Sequence, residues 1–173
     1  MKKLQSHTDV VYIQSKFLTK KECTSYLKKA ISPTAMERKS FAKDVEANNS
    51  LWHKRVVDIT HDPIVKRVKD FLNKKFNLTL EIAEAHLQNW IKGSYGILHT
   101  HDKAYDPKSV VSRYNSLIYL NNDFDDGAFH TSWGIFINPE PGLLTFFDGK
   151  KIFHGVSEVK KKDRFTLAFW WKD

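Results

Sequence analysis

The chain has 173 residues, 41% of them hydrophobic, and a formal net charge of +8. This length and composition predict one globular domain and exclude a chain that is disordered by composition. The apolar runs are too short for a membrane span, the N-terminus lacks a secretory hydrophobic segment and the one cysteine, Cys23, cannot form an internal disulfide, so a cytoplasmic protein is predicted.

The positive charge is concentrated in the first part of the chain. Residues 1–75 carry 17 Lys and Arg against 8 Asp and Glu, whereas residues 76–173 carry 11 against 12. This excess is compatible with a nucleic-acid or acidic protein partner, but a solvated lysine-rich face is the favoured interpretation. All 7 glycines lie at or after Gly93, which predicts helices in the first half and strands with tight turns in the second.

Two helices and three strands are predicted in the first half. A capping box of Thr19 and Glu22 begins the first helix, and Asp62 as N-cap with Pro63 as first residue begins the second. Residues 10–13, 55–60 and 77–90 are predicted as strands, and residues 35–53 as a polar loop. The apolar face of the first helix contains Cys23, Tyr26, Leu27, Ala30 and Ile31, and that of the second contains Ile64, Val65, Val68, Phe71 and Leu72.

The second half alternates short strands with turns. Strands are predicted near residues 113–121, 129, 133–137, 143–147, 151–154 and 163–171. Turns separate them at residues 125–127 and 138–142, and a hairpin-like turn is predicted at Asp148-Gly149. Many short strands without helices between them favour a closed or double-sheeted β structure.

A cluster of histidines indicates a metal site. His99 and His101 lie two residues apart at the end of a strand, so strand alternation would direct both side chains to one side. His154, beside a glycine on a distant strand, would complete a facial set that leaves coordination positions open, as mononuclear iron(II) sites require.

Arg164 is a cation in an otherwise hydrophobic strand, ten residues after His154. A buried cation requires an anionic partner, and a dicarboxylate cosubstrate could supply one through paired hydrogen bonds. An internal salt bridge with an acidic turn residue is the alternative.

Residues 80–171 resemble the 2-oxoglutarate/Fe(II)-dependent oxygenases, and most of all their prolyl 4-hydroxylase branch. The resemblance lies in the order and spacing of several short motifs, and the segment Phe17-Leu18-Thr19 with Glu22-Cys23 resembles the opening helix of that family. The matching motifs are Gly93 with His99, Tyr119-Leu120-Asn121, Phe124 with Gly127 and Phe129, Pro141-Gly142 with the strand after it, His154-Gly155-Val156, and Arg164 with Trp170-Trp171.

The resemblance implies a mainly β fold, a double-stranded β-helix (jelly roll) with N-terminal helices packed on its major sheet. It implies one domain over residues 1–173, with residues 1–78 as helical support and 79–173 as the core. His99 and His154 would bind iron, Arg164 and Tyr119 would hold the far carboxylate of 2-oxoglutarate, and Thr166 and Tyr95 are further candidates for that cosubstrate.

The third metal ligand departs from the family pattern of His-x-Asp. His101 stands where that pattern has the aspartate, and Asp102 follows one residue later. Strand alternation favours His101, whereas a small bulge would direct Asp102 at the metal, so both are candidates. Tyr95 is also one residue farther from His99 than the family's tyrosine usually is.

The resemblance implies a dioxygenase that uses Fe(II), O2 and 2-oxoglutarate, hydroxylates a peptidyl (prolyl-like) or free amino-acid substrate, and releases succinate and carbon dioxide. On analogy alone, Arg113, Trp133 and His130 would line the substrate entrance. Two alternatives are a three-histidine cupin-type metalloenzyme, for which Arg164 has no purpose, and a non-catalytic jelly-roll binding module.

Overall fold

A computed structural model describes residues 11–31, 54–102 and 112–173, which contain two helices and twelve strands. The predicted loop at residues 35–53 lies outside these ranges. The helices are α1 (Lys20–Ile31) and α2 (Pro63–Phe76). The strands are β1 (Tyr12–Gln14), β2 (Lys54–Asp58), β3 (Glu81–Trp90), β4 (Gly96–His99), β5 (Tyr114–Tyr119), β6 (Asp125–Asp126), β7 (Phe129–Thr131), β8 (Phe136–Ile137), β9 (Leu144–Asp148), β10 (His154–Val156), β11 (Val159–Lys160) and β12 (Arg164–Lys172).

Ten of the strands form two sheets. The major sheet has the order β1-β9-β5-β12-β3-β2, the minor sheet has the order β4-β10-β7-β8, and β6 pairs with β11. Neighbouring strands are antiparallel, and the chain passes repeatedly from one sheet to the other. This arrangement is the predicted jelly roll, and the prediction of fold class is confirmed.

The major sheet is buried on both faces, because helices cover one face and the minor sheet covers the other. Strand alternation places Leu167 and Phe169 of β12 on the face that packs against Val68 and Leu72 of α2. A second cluster fills the space between the sheets, with Tyr119, Phe129, Ile137, Leu143, Phe147 and Ile152 as its buried members.

The predicted helix caps are both confirmed. The Thr19 amide donates to Glu22 Oε2 (2.7 Å) and the Glu22 amide donates to Thr19 Oγ1 (3.2 Å). Asp62 Oδ1 accepts a hydrogen bond from the Ile64 amide (3.1 Å) at the start of α2. The prediction that Ile31 is buried is wrong, because this residue is 60% exposed in the last turn of α1.

The turn at Asp148-Gly149 is present, but it is not part of a hairpin. β9 pairs with β1 and β5 in the major sheet, whereas β10 pairs with β4 and β7 in the minor sheet. The turn therefore carries the chain from one sheet to the other, a choice that depends on pairing partners far away in sequence. No helix in the described ranges is long and apolar enough to cross a bilayer.

Candidate metal and cosubstrate site

His99 and His154 are directly opposite each other on neighbouring strands. His99 ends β4, His154 begins β10, and the two residues are paired in the antiparallel register. Their ring centroids are 4.5 Å apart. The pairing of these two strands in the minor sheet therefore brings together two imidazoles that the sequence separates widely.

His101 joins this pair from the segment that follows β4. Its ring centroid lies 5.4 Å from that of His99 and 5.0 Å from that of His154. The His101 amide donates to the carbonyl of Gly149 (2.8 Å), which fixes its backbone beside the turn between the two sheets. Asp102 is not part of this cluster, and its own amide donates to Thr100 Oγ1 (3.4 Å).

Two of the three imidazoles have a defined tautomer. His154 Nδ1 lies 2.8 Å from the Ile152 carbonyl, and His99 Nδ1 lies 3.0 Å from the Ile97 carbonyl. A carbonyl oxygen only accepts, so each Nδ1 carries a proton and each Nε2 has a lone pair for a metal. Such backbone hydrogen bonds orient metal-binding histidines in many proteins.

The buried position of His154 keeps it neutral. Burial, with smaller contributions from His99 and His101, holds the pKa of His154 well below its ordinary value. A neutral imidazole is the form that binds a metal ion. Burial is therefore the main cause of the shift, and the two neighbouring histidines add to it.

The spacing of the rings fits one metal ion. One potential ligand atom from each histidine lies within 4.8 Å of the others. A metal about 2.1 Å from each nitrogen, with ligand angles between those of an octahedron and a tetrahedron, requires ring centroids roughly 4.6–5.3 Å apart. The observed centroid distances of 4.5, 5.0 and 5.4 Å match that requirement closely.

A cavity between the sheets connects the histidines with Arg164. The cavity has a volume of about 90 Å³, measured as the space open to the centre of a water molecule. A single water needs about 10–15 Å³ on this measure, so the cavity has room for a small organic acid. His99, His101 and His154 contribute to its wall together with Arg164, Gln88 and Trp90.

Arg164 is a buried cation without a carboxylate partner among the described residues. Only 1% of it is exposed, and its Nε and Nη2 atoms have no hydrogen-bond acceptor there. Burial lowers the pKa of the guanidinium, while Tyr119, whose ring lies 5.1 Å away, opposes the shift. The alternative of an internal salt bridge finds no carboxylate partner in the described part of the chain, and a cation buried in this way requires an anion.

Tyr119 and Thr166 are close to Arg164 in the major sheet. They are directly paired across β5 and β12, and both are fully buried. The hydroxyl groups of both residues lack a hydrogen-bond partner in the described ranges. Arg164 lines the cavity, whereas Tyr119 and Thr166 are not part of its wall.

Four other predicted site residues do not line the cavity. Arg113 instead donates to Asp148 (3.1 Å) and Asp173 (2.5 Å). Tyr95 is half-buried in the segment before β4. Trp133 is 56% exposed in the turn between β7 and β8, and His130 pairs with Gly155, next to His154.

Sequence reasoning missed several polar or aromatic residues that line the cavity. Among them are Gln88 and Trp90 on β3, and Asn115 and Ser116 on β5. The sequence of β3 carried little signal, because the face that contains Gln88 also contains Glu84 and His86. The face of β3 that lines the cavity is set by the pairing of β3 with β12. The residues of β3 alone do not predict that pairing.

Comparisons with known proteins agree with this architecture. A viral collagen prolyl hydroxylase from Paramecium bursaria Chlorella virus-1, solved as a 2-oxoglutarate complex, has a TM-score of 0.71 and 19% identity over 96% of this chain and 98% of its own. A Pseudomonas putida prolyl-4-hydroxylase has a TM-score of 0.72 and 17% identity over 94% and 91% of the two chains. A Trichoplax adhaerens prolyl hydroxylase, solved with a hypoxia-inducible-factor peptide, has a TM-score of 0.67 and 16% identity over 98% and 86%.

The similarity is one of structure. No family model matches the sequence, and no curated protein matches it. The chain therefore has the fold of the 2-oxoglutarate/Fe(II) oxygenases and of their prolyl hydroxylases, which confirms the resemblance at the level of the fold.

Proposed function

We propose that this protein is a 2-oxoglutarate- and Fe(II)-dependent dioxygenase. One observation carries the proposal: three converging imidazoles and the buried Arg164, which has no carboxylate partner among the described residues, line the same cavity. The histidines would hold iron at one end, and the guanidinium would hold the far carboxylate of 2-oxoglutarate at the other. The 2-oxoglutarate bound to the viral prolyl hydroxylase of the same fold supports this choice of cosubstrate.

The residues of this chain would bind and orient the reactants. His99, His101 and His154 would occupy one side of the metal and leave the other side open. Arg164 would fix the far end of 2-oxoglutarate through a pair of charge-assisted hydrogen bonds. Bound iron and O2 would supply the oxidative decarboxylation to succinate and carbon dioxide, coupled to hydroxylation of a C–H bond.

We propose His101, and not Asp102, as the third ligand. Its ring lies at the spacing that one metal requires, and Asp102 is not part of the cluster. Three neutral histidines carry one negative charge fewer than two histidines and an aspartate. A divalent metal would then leave a charge of +2, of which the chelating carboxylate of 2-oxoglutarate would offset one unit, because its far carboxylate pairs with Arg164.

We propose a peptidyl (prolyl-like) or free amino-acid substrate. The support comes from the fold, since the viral, Pseudomonas and Trichoplax proteins are all prolyl hydroxylases. His130 and Trp133 lie on or beside β7, next to the strand that carries His154, and remain candidates for contact with the substrate. Mass spectrometry of proline-containing peptides and of free amino acids would test each class by the gain of one oxygen atom.

A three-histidine cupin-type metalloenzyme is the second candidate. The participation of His101 favours it, because such a site needs no carboxylate ligand. Arg164 argues against it, because a metalloenzyme without a dicarboxylate cosubstrate has no anion for this buried cation.

Anaerobic titration of the Fe(II)-loaded protein with 2-oxoglutarate tests the proposal. A weak visible charge-transfer band is expected when the 2-oxo acid chelates the metal. Iron binding without such a band would favour the cupin-type reading. A protein that binds no iron would favour a non-catalytic binding module.

A further inference from the structure

Gln88 and Trp90 are joined by a hydrogen bond at the Arg164 end of the cavity. The indole nitrogen of Trp90 donates to Oε1 of Gln88 (3.0 Å), and these two residues are 5% and 3% exposed, respectively. Both side chains line the cavity. In the register of β3 and β12, Trp90 is opposite Arg164 and Gln88 is opposite Thr166. Gln88 is therefore a diagonal neighbour of Arg164 on one face of the sheet.

The hydrogen bond from Trp90 fixes which end of the Gln88 amide is free. An indole N–H can only donate, so the atom that receives it must be the amide oxygen and not the nitrogen. The amide nitrogen, Nε2, is left buried and has no acceptor among the described residues. It therefore presents N–H groups beside those of Arg164.

Trp90 also contacts the guanidinium itself. The Arg164 guanidinium carbon lies 5.5 Å from the centre of the Trp90 ring and 5.1 Å from that of Tyr119. These cation–π contacts restrict the position of the guanidinium. The Nε2 end of Gln88 and the Arg164 guanidinium then offer only donors to a ligand in the cavity, because neither group can accept a hydrogen bond, whereas Oε1 of Gln88 is occupied by Trp90.

We propose that Gln88, with its amide oriented by Trp90, is a specificity-determining residue that makes this end of the cavity accept a carboxylate and reject a carboxamide. The inference rests on the proposed function and names the group that the site selects. A carboxylate offers acceptors only and satisfies every donor. A carboxamide would place its own N–H groups against those of Gln88 or Arg164 and leave buried donors unpaired.

Calorimetric binding of three 2-oxo acids to the Mn²⁺-loaded protein tests this inference without turnover. The acids are 2-oxoglutarate, its 5-amide, and 2-oxopentanoate, which ends in a methyl group. We expect the parent protein to prefer 2-oxoglutarate over the amide by about 100-fold or more. Gln88→Met keeps the length of the side chain and removes the donor, so it should weaken 2-oxoglutarate binding by about 10- to 100-fold while changing 2-oxopentanoate binding little.

Two further variants test the orientation of the amide. Gln88→Glu replaces the donor by a carboxylate that pairs with Arg164 and repels the ligand, and should abolish 2-oxoglutarate binding while preserving Mn²⁺ affinity. Trp90→Phe keeps an aromatic ring against Arg164 but removes the indole N–H that orients the side-chain amide of Gln88. The ratio of its affinities for 2-oxoglutarate and for the 5-amide of 2-oxoglutarate should therefore be smaller than in the parent. Gln14→Met on β1 is the matched control and should bind like the parent. Circular dichroism would verify that each variant is folded.

The possible outcomes distinguish a failure of this inference from a failure of the proposed function. If the parent binds none of the three acids, the proposed function fails and the inference falls with it. If the parent binds 2-oxoglutarate but Gln88→Met and Gln88→Glu bind it equally well with an unchanged preference over the amide, the inference alone is overturned.

Discussion

His99 and His154 are cross-strand partners whose ring centroids lie 4.5 Å apart, although 55 positions separate them in the chain. The backbone carbonyls of Ile97 and Ile152 orient the two rings in the same way, each through Nδ1. The minor sheet therefore holds two imidazole nitrogens in an orientation in which both could bind one metal ion. Because the folded backbone already fixes the relative positions of these two histidines, metal binding would cost less conformational entropy than it would for a flexible pair.

The third ligand can be identified by two substitutions. His101→Ala should weaken metal binding by more than the roughly 10- to 100-fold that loss of a supporting hydrogen bond costs. Asp102→Ala should weaken it less, because Asp102 is not part of the histidine cluster. His154→Ala should remove metal binding altogether. Calorimetric titration with Fe(II) or Mn²⁺ would measure all three, and a larger effect at Asp102 than at His101 would reverse the assignment.

The Arg164 side chain should strengthen the binding of 2-oxoglutarate and lower the stability of the ligand-free protein. Arg164→Met should weaken 2-oxoglutarate binding by about 2–5 kcal/mol, because the ligand carboxylate loses its buried charged partner. The same variant should melt at a higher temperature than the parent in the absence of ligand, since it removes an unpaired buried cation. Metal affinity should stay within a few-fold of the parent.

Arg164→Lys separates charge from shape in the same experiment. A lysine keeps the positive charge but lacks the planar fork of donors, so its affinity for 2-oxoglutarate should lie between those of the parent and Arg164→Met. Parent-like 2-oxoglutarate binding by Arg164→Met would remove Arg164 from the site.

Gly149 should influence metal binding through His101. A Cβ atom at this position would overlap Oδ1 of Asn115 and approach Nδ1 of His101 to 3.0 Å. The Gly149 carbonyl also accepts the hydrogen bond from the His101 amide. Gly149→Ala should therefore displace His101 and lower metal affinity by roughly 10- to 100-fold, as loss of other supporting contacts does.

The neighbouring Lys150→Ala provides the control for Gly149, since Lys150 is exposed in the same turn. Its metal affinity should equal that of the parent. An altered absorption spectrum of the Co²⁺-substituted Gly149→Ala protein would show that the ligand geometry had changed, which a general loss of stability would not produce. An unchanged spectrum and affinity would disprove the positioning role.

Asp62 should make stability depend on pH below neutrality. Burial alone would raise its pKa, but hydrogen bonds from Lys29 (2.9 Å), Tyr26 (2.7 Å) and the Ile64 amide outweigh burial and lower the pKa. A carboxylate with a lowered pKa in the folded state stabilises the protein above its unfolded pKa of about 3.9, and this stabilisation is lost as the pH falls through the folded pKa.

Asp62→Ala should accordingly cost about 0.5–2 kcal/mol of unfolding free energy at pH 7, the usual effect of losing an N-cap. The difference in unfolding free energy between Asp62→Ala and the parent should shrink as the pH falls below the ordinary carboxyl pKa. Urea denaturation between pH 7 and pH 3 would measure it. Asp70→Ala is the control, because the side chain of Asp70 is 56% exposed and forms a surface ion pair with Lys66, so its cost should be small at every pH.

Local features of this fold could be read from the sequence because they depend on residues close together in the chain. The caps at Thr19 and Asp62 need partners two or three positions away, and both form as predicted. The alternation of β12 likewise places Arg164 and Thr166 on one side. The resemblance to a known family implied the jelly roll, and the residue pattern made His99, His154 and Arg164 candidates.

Only the tertiary structure decided contacts that depend on the register between distant strands. His101 lies beyond the end of β4, and a hydrogen bond to Gly149, from another part of the chain, holds its backbone beside the other two histidines. Pairing of β3 with β12 likewise brings Gln88 near Arg164. Periodicity indicates which side of a strand a residue faces, but it does not contain the identity of the strand alongside. The sequence therefore determined the fold and most of its ligand candidates, whereas the pairing of distant strands decided which side chains meet.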